Sequence, residues 1–209
     1  MITRRKVLYL LGASALPSSL YRPALADTAA GNVVAMHGQC VVEKQGRSTP
    51  LKVGDVVAVS DTITVAIDGK LKLRMSDGSV ISLAPGTRMT VTSYQTDAGG
   101  QRQNAQLALA QGLLRAVVAP VDRPAKFEVS TAVGTAAVRS TDWFIEIQPN
   151  ATQVGVLTGS VSLTGTATGR SVTIPTRWGA RLEAGRDPVL ARVWTPAEFQ
   201  AVITRTDVP

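Results

Sequence analysis

Apolar and polar positions alternate along most of the chain, most cleanly between Asp61 and Val91. Leu71, Leu73 and Met75 form one alternating set, Ile81 and Leu83 a second, and Met89 and Val91 a third. A period of two puts one side of each segment in a core and the other in water, so this stretch predicts four short strands. Asp68-Gly69, Asp77-Gly78 and Pro85-Gly86 punctuate them on a nearly constant beat. Such dipeptides supply the positive-φ corner that tight strand connections need.

The same pattern continues on both sides. Asn32–Glu43 reads as two strands bent at His37-Gly38, and Leu51–Val57 as a turn unit followed by a strand. The polar stretch Ser93–Ala105 reads as a long hairpin tip or exposed loop, and Ala119–Pro124 as a second loop. Gln106–Val118 gives two strands separated at Gly112. Further strands follow at Lys126–Thr131, Asp142–Ile147, Thr152–Leu157, Gly159–Leu163, Ser171–Ile174 and Trp178–Leu182, with Pro149-Asn150 as a hairpin turn. Turns at this frequency predict an all-β domain, a twisted solenoid-like or sandwich-like stack of short strands and hairpins. The end changes character. Thr195-Pro-Ala-Glu198 is an N-cap, a first-turn proline and a capping glutamate, which predicts a short helix from Pro196 to Thr204. Phe199 would anchor it as a lid over an open sheet edge.

Composition adjusts this picture only slightly. With 209 residues and 4% aromatics, the chain suits one domain of many thin strands. The net charge of +7 is unevenly placed, because Arg4, Arg5, Lys6 and Arg22 fall in the first 26 residues, which hold no acid. Without them the surplus is three charges, and no basic run remains to grip nucleic acid. The N-terminus has the form of an export signal: Arg4-Arg5, the apolar run Val7–Leu11, then Ala24-Leu-Ala26 as a small-residue exit. It is too short and interrupted to span a bilayer. The paired arginines suggest the twin-arginine route, with an ordinary secretory signal as the alternative. The expected organisation is therefore a signal peptide over 1–26 cleaved near Ala26, an all-β domain over 27–190, and a helical tail over 191–209, with no transmembrane span in the mature, periplasmic chain.

Catalytic signatures are sparse. His37 has no partner at metal-ligand spacing, and no Gly-x-Ser-x-Gly elbow or phosphate-cradling loop occurs. Cys40 is the single cysteine, so it has no intramolecular bridge and reads as a small buried side chain. Asp68 and Asp77 are turn formers, and calcium binding there would require their oxygens to converge on one site. One segment draws notice, Val138-Arg-Ser-Thr-Asp-Trp-Phe144. Alternation places Arg139, Thr141 and Trp143 on one face, a candidate recognition patch with Trp143 as a stacking surface and Arg139 as an anion partner. The competing reading is an internal cap, with Arg139 on loop carbonyls and Trp143 over the core edge.

The order of these motifs resembles the FecR-type periplasmic domain of ferric-citrate-regulator-like proteins. The resemblance is carried by Gly38 with Val41, Leu51-Lys-Val-Gly-Asp55, Thr62-Ile-Thr64 and Leu71-Lys-Leu73 with Asp77-Gly-Ser-Val-Ile-Ser-Leu83. It continues through Gly112-Leu-Leu-Arg115, Phe127-Glu-Val-Ser-Thr131, Ala137–Phe144 and Val154–Val161. It implies an all-β module that works by binding, without catalysis, cofactor or metal. The family's anti-sigma segment, membrane helix and receptor-docking domain have no counterpart in this sequence, and Ser140 stands where the family usually has glycine. The expected partner is a protein of the cell envelope. The alternative is a glycan or peptidoglycan stacked on Trp143 or Trp178, and a catalytic site without a sequence signature is the third reading.

Overall fold

Two nine-stranded sheets face each other across one apolar layer. The computed structural model describes residues 28–208, so the export signal, with Arg4, Arg5 and Ala26, lies outside the described residues. In chain order the strands are β1 (Ala29–His37), β2 (Cys40–Lys44), β3 (Arg47–Pro50), β4 (Val56–Ala58), β5 (Thr62–Val65) and β6 (Lys70–Met75). They continue with β7 (Val80–Leu83), β8 (Arg88–Thr96), β9 (Arg102–Gln111), β10 (Leu113–Val117), β11 (Lys126–Ser130) and β12 (Gly134–Val138). Then come β13 (Asp142–Gln148), β14 (Ala151–Thr158), β15 (Ser160–Gly165), β16 (Ser171–Pro175), β17 (Trp178–Glu183) and β18 (Val189–Val193), followed by helix α1 (Pro196–Thr206).

The first sheet is ordered β18-β17-β14-β13-β10-β7-β6-β1-β4 and the second β16-β15-β12-β11-β9-β8-β5-β2-β3. The chain deposits strands on the two sheets in turn: the hairpin β6–β7 on the first, β8–β9 on the second, β13–β14 on the first, β15–β16 on the second. The result has the two faces of a sandwich and the stepwise advance of a solenoid, which unites the two forms that the alternation allowed. Single-residue crossings between sheets fall at Gly112 and Gly159, both with φ +87. A Cβ at Gly112 would lie 2.5 Å from Thr87 Oγ1, and one at Gly159 2.7 Å from Ser140 O, so these corners need glycine for both conformation and space.

The opening beat of the sequence survives intact. Leu71, Leu73, Met75, Ile81, Leu83, Met89 and Val91 all lie in the layer between the sheets. Gly78 and Gly86 take the expected positive φ, but Gly69 does not. Its missing side chain instead lets the backbone of Gln39 pass, since a Cβ there would lie 2.6 Å from Gln39 O.

Three expectations change. The polar stretch 93–105 is mostly strand, the outer half of the β8–β9 hairpin, with its tip confined to residues 97–101. Its inward positions are Tyr94, Arg102 and Ala105, all buried, and a charged inward residue hides the period of two. Three strands have no counterpart in the expected set: β3 and β18, edge strands exposed along their whole length, and β12, whose inward residues are small.

Helix α1 starts as expected: the Thr195 hydroxyl accepts from Glu198 N at 3.4 Å and the Glu198 carboxylate accepts from Thr195 N at 2.8 Å. It covers a face, not an edge. Phe199 and Val202 join Ala84, Leu113, Phe144 and Trp194 in a second apolar cluster. Trp143 and Ile145 belong to the inner layer, so Phe144 between them points outward, and the cluster lies on the outer side of the first sheet. A helix with an apolar stripe needs a surface of this kind, because an edge offers mainly backbone groups. Gly179 admits the Trp194 indole, with which any Cβ would collide. At the far end Lys70 Nζ donates to Thr204 O at 2.8 Å and Asp207 O at 3.1 Å, capping helix carbonyls with a cation.

Candidate functional site

β12 ends at Val138 and β13 begins at Asp142, so Arg139, Ser140 and Thr141 form a crossing between the two sheets. That interruption separates the three patch residues. Trp143 is completely buried in the inner layer, Thr141 is buried with its hydroxyl donating to Ser160 O at 3.2 Å, and Arg139 is exposed. Simple alternation across 139–143 assumed an unbroken strand; the crossing resets it. Trp143 is therefore a core side chain without an open stacking face, and Arg139 alone remains at the surface. Trp178, the other candidate for sugar stacking, is half-buried and packs against the inner core. Asp142 is engaged by Arg115 through two hydrogen bonds of 2.9 and 2.8 Å. Ser140 is not in the left-handed region, so a serine there meets no backbone strain.

Beneath the crossing lies a buried ion pair. Asp77, in the β6–β7 turn, accepts at Oδ1 from Ser79 N (2.9 Å) and Tyr94 OH (2.7 Å). Its Oδ2 accepts from Ser79 Oγ (2.8 Å) and Arg102 Nη1. Both charged side chains are wholly shielded from water. Arg102 Nη2 then donates to Arg139 O (3.0 Å) and Ala119 O (3.3 Å), and its guanidinium stands 5.4 Å from the centre of the Phe127 ring. One cation thus ties a turn, a hairpin, a loop and the Arg139 crossing together. Burial, and next the charge of Asp77, hold the Tyr94 phenol well above its usual range, which keeps it a donor to the carboxylate. The sequence showed Asp77 only as a turn former; nothing in it marks Arg102, 25 residues away in the most polar stretch, as its partner.

On the outer side of the second sheet a cavity of about 660 Å³ opens beside Arg139. Ala137, Ser162 and Thr173 are consecutive cross-strand partners on β12, β15 and β16, and their neighbours Val138, Val161 and Ile174 point inward. Lys126, Arg139 and Ser160 complete the lining that matters chemically. Lys126 is paired with Glu128 at 2.9 Å, whereas no carboxylate among the described residues pairs with Arg139. The volume is in the range of small-ligand sites, about 300–1,000 Å³.

The remaining candidates do not gather here. His37 is exposed at the end of β1, and no group of three or more His, Cys, Asp or Glu among the described residues could hold a metal ion. Asp68 sits in an exposed turn while the Asp77 carboxylate is buried and engaged, so the two share no site. Cys40 is buried, and burial, followed by the charge of Asp68, pushes its thiol up to about 11. A thiol held protonated in this way is a poor nucleophile.

Residues 61–162, from the entry to β5 to the middle of β15, match the family model described as FecR protein. The matched region includes the Asp77–Arg102 pair, the Arg139 crossing and Ser160 and Ser162 of the cavity. Two crystal structures of a proposed anti-sigma factor from Parabacteroides distasonis ATCC 8503, at 2.50 and 1.65 Å, have similar folds, with TM-scores of 0.55 and 0.56 and 16% identity in each case. The match covers 67% of this chain and 62% and 63% of those chains, so this chain spans less than two thirds of their length. At that identity the likeness is one of fold. No curated protein matches the chain. No helix among the described residues is long and apolar enough to cross a membrane.

Proposed function

We propose that this chain is an exported, non-enzymatic sensory or binding module that acts in the periplasm through contacts with another protein. The observation that carries the reading is the FecR match over residues 61–162, which spans strands of both sheets and contains the whole lining of the cavity beside Arg139 except Thr173. The fold shared with a proposed anti-sigma factor supports a regulatory role. The chemistry of the site supports binding: its acids and bases serve mainly as buried or paired cross-links, and the open recess is lined by hydroxyls and one uncompensated guanidinium. The basic N-terminal segment ending at Ala26 supports export. The glycan alternative loses its main aromatic platform with Trp143 in the core.

The test places photo-crosslinking residues at Ser162, on the outer side of the second sheet, and at Gln153, on that of the first, in cells that produce the full chain. A discrete protein adduct from Ser162 and none from Gln153 is expected. Absence of any protein adduct from either position, with the chain exported and folded, overturns the protein-contact reading. Export is tested separately. A Lys-Lys replacement of Arg4-Arg5 should block a reporter that is active only after export in the folded state, and unchanged reporter activity would exclude the twin-arginine route.

A further inference from the structure

Resting on the protein-contact reading, we propose that the cavity beside Arg139 is the docking site for an acidic segment of the partner protein, with Arg139 as its carboxylate receptor.

Charge is the first argument. On the outer side of the first sheet Arg115, Arg181 and Arg205 each meet a carboxylate, as does Arg192 at its edge. Arg139 is exposed, lines a recess, and has no such partner among the described residues. A guanidinium binds a carboxylate through two parallel hydrogen bonds, and the pair gains strength where water is partly excluded. Unsatisfied donors are the second. Elsewhere on this face hydroxyls pair with each other, Thr62 with Thr90 at 2.8 Å and Thr164 with Ser171 at 2.7 Å. The hydroxyls of Ser160, Ser162 and Thr173 line the cavity without such a bond among the described residues. They can donate to further acidic oxygens or to the backbone carbonyls of a docked chain.

Preorganisation is the third. The main chain of Arg139 is held from below by the buried Arg102, and Thr141 is held sideways on Ser160. The receptor therefore stands on a fixed base, and Arg102 is a positioning residue for it. Shape argues for a segment over a single ion. The recess crosses β11, β12, β15 and β16, about 14 Å at ordinary strand spacing, the length of about four extended residues. It runs out at β16, the edge of the sheet, so a longer chain can leave it without obstruction.

The experiment uses the full mature chain and fluorescent octaglutamate and octaglutamine peptides, read by anisotropy and by amide chemical shifts. Octaglutamate should bind, octaglutamine should not, and the shifts should centre on Ala137, Ser162 and Thr173. Arg139→Gln should weaken octaglutamate about tenfold or more, as should about 0.5 M salt, while Arg181→Gln leaves it unchanged. Arg139 is exposed, so an unchanged melting curve checks that the variant stays folded. Arg102→Lys, which keeps the buried charge but loses the planar fork, should weaken octaglutamate while the Arg139 side chain is intact. Equal binding by the Arg139→Gln variant, equal binding of octaglutamine, or shifts centred elsewhere overturns the proposal. Free glutamate competing as well as octaglutamate overturns the segment in favour of a small carboxylate. If octaglutamate fails while the Ser162 adduct persists, the acidic-segment proposal falls and the protein-contact reading stands. If octaglutamate binds but neither Ser162 nor Gln153 yields an adduct, the protein-contact reading falls and takes this proposal with it.

Discussion

On the first sheet, the outward positions of β10 and β13 carry Leu113 and Phe144, and α1 closes over them with Phe199, Val202 and the Trp194 that precedes it. On the second sheet the outward row reads Thr62, Thr90, Ala108, Ser130, Thr135, Thr164 and Ser171, each the cross-strand partner of the next. The inner sides of both sheets are built alike; the outer sides differ because their side chains differ. Outward aromatic and leucine side chains raise the free energy of a bare sheet until something covers them, at roughly 25 cal/mol per Å². Short hydroxyl side chains need no cover. The chain has therefore closed one face with its own helix and left the other uncovered among the described residues, and the difference can be read from which residue types occupy the outward positions.

The comparison can be broken at its strongest point first. Phe144 contacts both Trp194 and Phe199, with ring centroids 4.9 and 6.4 Å away. Phe144→Ala should cost about 3–5 kcal/mol in urea unfolding, because it opens a cavity in a closed cluster. A loss below about 1 kcal/mol would mean that α1 is not structurally coupled to the sheet. Thr195→Ala removes the helix cap and should cost about 1 kcal/mol, with Thr195→Asp largely restoring it. A smaller effect comes from acid. Glu198 is pulled down from 4.5 to about 2, chiefly by its hydrogen bond from Arg192 and then by the Thr195 backbone. A lowered carboxylate contributes stability that is complete above its unfolded value and lost as the pH falls through the folded one. Trp194 fluorescence should therefore report loosening of α1 between about pH 4.5 and 2, absent in Glu198→Gln. Least affected is the open face. Ser162→Ala should change stability by less than about 0.5 kcal/mol, since nothing among the described residues rests on its hydroxyl.

Much of the fold was legible because local rules and tertiary packing agree from Asp61 to Val91: strands, turns and inward residues all lie where alternation and Gly78 and Gly86 place them. The start of α1 was legible for the same reason, since the cap, proline and glutamate are within four residues of one another. What escaped the sequence is what depends on distant partners. The face that α1 covers is set by Phe144 and Leu113, and β12 is a strand because β11 and β15 flank it. The candidate site was half legible. Alternation puts Arg139 and Trp143 on one side, whereas the structure leaves Arg139 at the surface and Trp143 in the core, because the crossing at 139–141 leaves no mark in the pattern. Arg102 was invisible, since a charged residue among glutamines and asparagines reads as solvated.

Strands β9 and β11 run parallel, the exception to the antiparallel pairing around them. A hairpin such as β6–β7 closes over a four-residue turn, but β9 meets β11 only after the chain has visited the opposite sheet through β10 and returned. The partners in that pairing lie 22 positions apart, as Lys126 does from Asn104, against 31 between Leu83 and Leu114 and 40 between Val33 and Leu73, so loop-closure entropy makes those antiparallel pairings later steps than the parallel one. Substitutions along Ala29–His37, whose pairing with β6 closes the longest of these loops, should therefore speed unfolding while leaving the folding rate almost unchanged.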